Sequence, residues 1–227
     1  VSSLLPGIGG AISSYKRIRA EKNLTIMIQH VKENQEKITD NLRRQTEENQ
    51  RKLDELLQYI LEIVADEYQE EKIEYMVNGY VNLTEHEQIT SDFVMHYYDT
   101  LKQLRMDDIA VLRMYYKNSY LFHGDSERED FRDVMNRHGM SYEQYNSVRE
   151  SLRRHGLLEL EVKDDTENDM TKLENGINKI VEFLDHINKS KKTRPPRIDK
   201  VRIKQKTRET FILSKFGREF NNFFYNH

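Results

Sequence analysis

Apolar residues recur at helical intervals through the first third of the chain. Leu24, Ile28, Val31, Ile38 and Leu42 follow a heptad-like stripe, and the same register brings Gln45 and Asn49 to its seam. Between residues 33 and 52 the only apolar side chains are Ile38 and Leu42, a composition suited to a solvated helix or a weakly packed middle. The stripe resumes at Leu53, Leu56, Leu57, Ile60, Leu61 and Val64 and runs on to Tyr75. This pattern predicts one very long helix, or two in line, over Lys16 to Val77. A rod of that kind is marginal alone in water, so it requires partner helices, and a homodimer is the simplest way to supply them. Leu53, Leu57, Ile60 and Val64 are the predicted contact stripe.

Beyond the rod the signals shorten. Asn78-Gly79 predicts a break, and Thr84 with Glu87 reads as a capping box opening a new helix, lined by Ile89, Phe93, Tyr97 and Leu101. Asp107-Asp108 opens the next, with Ile109, Leu112 and Tyr116 inward, since carboxylates complement a helix N-terminus. After a loop at His123 to Ser126, a helix runs through Phe131, Val134 and Met135 to Gly139. Ser141 then caps a helix on which Tyr145, Val148 and Leu152 share a face and which Gly156 stops. Leu158, Leu160 and Val162 alternate with charged residues as a half-buried strand does, and Thr207 to Leu213 supplies a partner strand, followed by an aromatic terminal helix. Helices, then strand, then strand is the order of a winged helix.

Between the two strands lies an insertion, about 163–195, with its own helical stripe of Ile177, Val181, Leu184 and Ile187. Residues 159–174 hold seven acidic side chains against two lysines, whereas residues 189–208 hold ten Lys or Arg against Asp199 alone. The predicted fold is therefore mainly α: a long N-terminal, coiled-coil-like helical region over 1–77, then a winged-helix-like α+β domain over 78–227 with a charged helical insertion in its wing.

Composition narrows the function classes. The 227 residues are 33% charged and 37% hydrophobic with a formal net charge of -3, so any nucleic-acid footprint must be local. Cysteine is absent, which removes disulfides, thiol nucleophiles and cysteine-ligated zinc. The eight histidines are scattered, and His86 between Glu85 and Glu87 lacks the i, i+3 or i+4 spacing of a metal pair. No phosphate-cradling glycine loop and no nucleophile–base pairing is present, so the expectation is a non-enzyme without metal or cofactor. Residues 1–15 carry no side-chain charge and run into Lys16-Arg17-Ile18-Arg19, which reads as a closely packed helix or as a membrane-active segment. Arg149, Arg153 and Arg154 on the predicted recognition helix, with Arg202, Lys204, Lys206 and Arg208 alternating along an extended basic stretch, are the candidate nucleic-acid contacts.

Three segments carry a family resemblance. Arg149-Glu150-Ser151-Leu152-Arg153-Arg154-His155-Gly156-Leu157-Leu158 is similar to the Asn-Leu-x-Arg-Leu-Gly-Leu segment of the bacterial abortive-infection alpha proteins. Residues 210–220 resemble that family's closing Thr-x-Leu-Gly-x-x-Phe element, and Asp108 to Leu112 its preceding helix; His155 and Phe216 stand where the family has leucine. The resemblance implies a cytoplasmic protein of bacterial or prophage origin that takes part in phage exclusion. The expected mode of action is protein–protein contact by a homo-oligomer or with another protein. A DNA-binding regulator and a membrane-acting effector working through residues 1–15 are the rivals.

Overall fold

The computed structural model describes residues 8–119, 129–163, 166–189 and 208–225. Within them the protein is mainly helical, with ten helices and one two-stranded sheet. The rod predicted over Lys16 to Val77 is instead four helices: α1 (Ile8–Glu33), α2 (Gln35–Arg44), α3 (Glu47–Asp66) and α4 (Glu71–Glu85). They fold back on one another, with α1 packed on α3 and α4, and α2 on α4. The breaks have side-chain causes. Asn34 interrupts the first helix while its amide donates back to the carbonyl of His30 at 3.0 Å. Thr46 leaves helical geometry and its hydroxyl accepts from the N–H of Asn49, starting α3. At the α3–α4 corner the buried Glu67 carboxylate accepts from the N–H groups of Tyr68 and Gln69 at 2.8 and 2.9 Å. Its other oxygen lies 2.7 Å from Nζ of the equally buried Lys72, which also donates to the carbonyl of Lys102 at 3.1 Å. A charge pair this deep is tolerable only because its remaining sites are also bonded.

The polar stretch expected to be a solvated middle is put to use inside the fold. Gln45 donates to the carbonyls of Thr84 and His86 at 2.8 and 3.1 Å, Asn41 donates to the hydroxyl of Thr84 at 3.0 Å, and Asn49 reaches the carbonyl of Glu87. The amides of Gln45 and Asn49 satisfy carbonyls left open at and just past the end of α4. On α1, Asn23 does the same for α3, donating to the carbonyls of Val64 and Glu67, both at 2.8 Å. The packed face of α1 accordingly runs through buried Asn23 and Met27, and Ile28 of the expected stripe points to solvent.

Two further expectations are corrected at α4. Asn78-Gly79 does not break it; the helix runs through Gly79, where a Cβ would lie 2.7 Å from the Phe224 ring and 2.8 Å from the Tyr98 hydroxyl. Glycine is there for close approach, not for a turn. Thr84 is not an N-cap but a buried residue of the last turn, donating to the carbonyl of Val81 at 2.6 Å. The division at 77/78 thus falls inside one helix. The compact units are residues 1–159 with 213–227, and residues 160–212.

The rest of the first unit follows the local signals more closely. Helix α5 (Ser91–Gln103) buries Val94, Tyr97, Tyr98 and Leu101, and α6 (Met106–Asn118) opens with Asp108 accepting from the N–H of Arg105 at 2.8 Å. Helix α7 (Phe131–His138) ends at Gly139 with φ 61°, and α8 (Tyr142–Arg154) is capped reciprocally by Ser141 and Gln144 and stopped before Gly156 with φ 73°. Helix α10 (Lys215–Tyr225) packs its Phe220, Phe223 and Phe224 against α4, α5 and α6. Buried Ser214 starts it. The hydroxyl donates to the carbonyl of Gly156 at 2.6 Å and accepts from the N–H of Gly217 at 2.8 Å. The N–H of Ser214 bonds the carbonyl of Leu157 at 3.2 Å, and a Cβ on Gly217 would overlap that same carbonyl.

Strand β1 (Leu158–Lys163) pairs with β2 (Arg208–Leu213), and α9 (Thr166–Asn188), within the second unit, lies between them in sequence. The bond between Leu157, just before β1, and Ser214, just after β2, makes the pairing antiparallel.

Candidate functional site

Among the described residues, helix α9 carries the longest series of exposed large aliphatic side chains. Met170, Leu173, Ile177, Ile180, Leu184 and Ile187 succeed one another at alternating intervals of three and four residues, the a/d spacing of a heptad repeat. Together with Val181 they are between 38% and 63% exposed. An isolated large aliphatic on a surface needs no explanation; seven on one side of one helix do. The helix itself is a poor soloist. Gly176 and the four asparagines at 168, 175, 178 and 188 are weak helix formers, and helices held by propensity alone are marginal in water. The Asp185–Lys189 ion pair at 3.1 Å, on the polar side, contributes only a few tenths of a kcal/mol.

The predicted contact stripe has the opposite fate. Leu53, Ile60 and Val64 on α3 are fully buried and Leu57 is half-buried, against neighbours that include α1, α4 and α5 of the same chain. They form the core of the bundle and not an outward face, because the fold-back at Asn34, Thr46 and Glu67 supplies the partner helices from within.

The candidate nucleic-acid residues of α8 differ in their settings. Arg149 is half-buried, sits 4.9 Å over the Tyr145 ring and is hydrogen-bonded to Asn146. Arg153 pairs with Glu150 at 2.9 Å, and Arg154 is exposed at the end of α8. Arg208 begins β2, while Arg202, Lys204 and Lys206 lie outside the described residues, as do residues 1–7 of the candidate membrane segment.

An open groove of about 480 Å³, absent from the sequence reading, has walls that include Asn82, His86, Phe93, Tyr97, Glu219 and Phe223. Tyr97 and Phe223 of its lining stack at 4.9 Å, and Tyr97 also stacks on Phe216 at 5.5 Å. Burial pushes the Tyr97 hydroxyl up to about 12. The groove joins residues 82–97 to 219–223, so no local motif announces it. Elsewhere burial raises the Asp108 carboxyl, opposed by the Arg105 N–H and by nearby His155, and Asp107 holds His138 Nδ1 at 2.8 Å. Among the described residues no group of three or more His, Asp or Glu could hold a metal ion, and no helix is long and apolar enough to cross a membrane.

No family model matches this chain, and no curated protein or solved structure matches it.

Proposed function

We propose that this protein acts by binding another protein chain through α9, with the helical bundle as its scaffold. The single observation that carries the reading is the exposed heptad face from Met170 to Ile187. Burying such a face removes apolar area from water at about 25 cal/mol per Å² and supplies the tertiary support that the helix lacks alone. We further place α6, α7, α8, β1 and β2 in the order of a winged helix, with α9 inserted in the wing. Support for that comes from the capped α8, the glycine stop at Gly156 and the antiparallel strands that follow it. A role in phage exclusion enters through the resemblance of residues 108–112, 149–158 and 210–220. The nucleic-acid reading has less support, since two of the three α8 arginines already have partners on their own helix.

The test is in cells expressing the full chain with a photoreactive amino acid at Leu184 on the seam, or at Glu182 on the polar side. Adducts from position 184 and none from 182 are the expected result. Equal labelling, or none at 184, overturns the reading. Phage plating on cells carrying the double substitution Ile177→Glu/Ile180→Glu should return to the value of cells lacking the protein if docking carries the exclusion role.

A further inference from the structure

Resting on the docking reading, we propose that the occupant of the α9 face is a second copy of α9, paired antiparallel. The seam is nearly palindromic. A twofold axis between Ile177 and Ile180 sets Ile177 against Ile180 of the second copy, Leu173 against Leu184, and Met170 against Ile187. Every layer then joins two aliphatic or thioether side chains, with the bulk balanced on both sides of the centre. The flanking positions fit in the same arrangement: Phe183 falls beside Gly176 of the other helix, where the missing side chain leaves room for a ring.

Charge selects the direction. Residues 159–174 carry seven acids against two lysines and residues 189–208 ten bases against one acid. In sequence, the acidic run leads into the start of α9 and the basic run follows its end. A parallel pair would bring acidic ends together and basic ends together, and would set Asp169 against Glu174 at the flanking positions that decide coiled-coil partners. The antiparallel pair places each acidic end beside a basic one. The return segment 190–207 of the same chain matches the seam poorly. It carries eight Lys or Arg with only Ile198, Val201 and Ile203 as aliphatics, against a face of seven.

Because the chain has no cysteine, disulfide trapping reads the register directly. Full-length Leu173→Cys and Leu184→Cys, prepared separately and mixed before oxidation, should give a mixed dimer in high yield, with at least ten-fold less from either variant alone. Light scattering should find the unsubstituted protein dimeric. Ile177→Glu/Ile180→Glu should be monomeric with the bundle intact by thermal unfolding. Efficient trapping of 173 with 173 and 184 with 184 would make the pair parallel and overturn the proposal, as would a monomeric unsubstituted protein or a double variant that stays dimeric. A monomer that still gives seam-specific photo-adducts with other proteins removes self-pairing and leaves the docking reading standing; a monomer giving none removes both.

Discussion

Helices α3 and α9 carry almost the same signal and meet opposite fates. On α3, Leu53, Leu56, Ile60 and Ile63 recur at intervals of three, four and three; on α9, Leu173, Ile177, Ile180 and Leu184 recur at four, three and four. The first set is buried, three of its members with no exposed surface at all, and the second is exposed. Periodicity therefore establishes that a helix has an apolar side and leaves open what covers it. What differs is the polar chemistry nearby. Around α3 and α4, the amides of Asn23, Asn41, Gln45 and Asn49 engage residues at the helix ends about 40 positions away, and the Glu67–Lys72 pair closes the corner. Each bond adds only about 0.5–1.5 kcal/mol net, but each also specifies which helix lies where. The stripe of α3 finds its partners in its own chain because these latches bring them there.

The sharpest test of that contrast truncates the same residue type on each helix. Leu56→Ala removes a fully buried side chain and should cost about 2–5 kcal/mol in global stability, read by denaturant midpoint at unchanged slope. A loss below about 1 kcal/mol would mean that α3 is not the core element described above.

Alkaline pH should separate the two regions next. Burial pushes the hydroxyl of Tyr80 up to about 12 and that of Tyr97 likewise, and also raises that of Tyr98, bonded to the carbonyl of Met76 at 2.8 Å. Folded, these phenols keep protons that the unfolded chain gives up near the ordinary tyrosine value of about 10. The folded state binds more protons between those limits, so its stability is intact below about pH 10 and falls as pH rises toward 12. Helix α9 contains no tyrosine. Near-ultraviolet dichroism of the bundle should therefore collapse over that interval together with the appearance of phenolate absorbance. Phenolate absorbance accounting for all thirteen tyrosines, with the bundle intact, would contradict the burial of the cluster.

The two halves of the bundle were unequally legible in the sequence. Asp107-Asp108, Ser141, Gly139 and Gly156 mark their helix ends where the structure has them, because caps and left-handed glycines act within a few residues of themselves. The strand pair from Leu158 and up to Leu213 was readable for the same reason. The turns at Asn34, Thr46 and Glu67 were not, since no proline or glycine marks them and the bonds that hold the folded-back helices, from Asn23, Asn41, Gln45 and Asn49, run to residues far along the chain. Gly79 shows the converse error: a strong local breaker is overridden because Phe224 and Tyr98 need its missing side chain. Of the site, Ile177, Val181, Leu184 and Ile187 were visible as a stripe, but Met170 and Leu173 were hidden in an acidic run. The exposure of the whole face is a property of its surroundings and of no residue in it.

The smallest effect is the most discriminating. Leu184→Ala deletes as many atoms as Leu56→Ala, from a side chain already 53% exposed. Little transfer free energy is lost and no closed cavity is left, so the unfolding midpoint of the bundle should move by less than about 0.5 kcal/mol. The same substitution removes one member of the Leu173–Leu184 layer on each side of the axis, so self-association should weaken several-fold. A variant that binds less well and unfolds just as before would assign α9 to recognition and α3 to the core. If the bundle instead lost stability comparable to Leu56→Ala, at a protein concentration too low for dimers, the face of α9 would be supporting its own chain and the contrast between the two stripes would vanish.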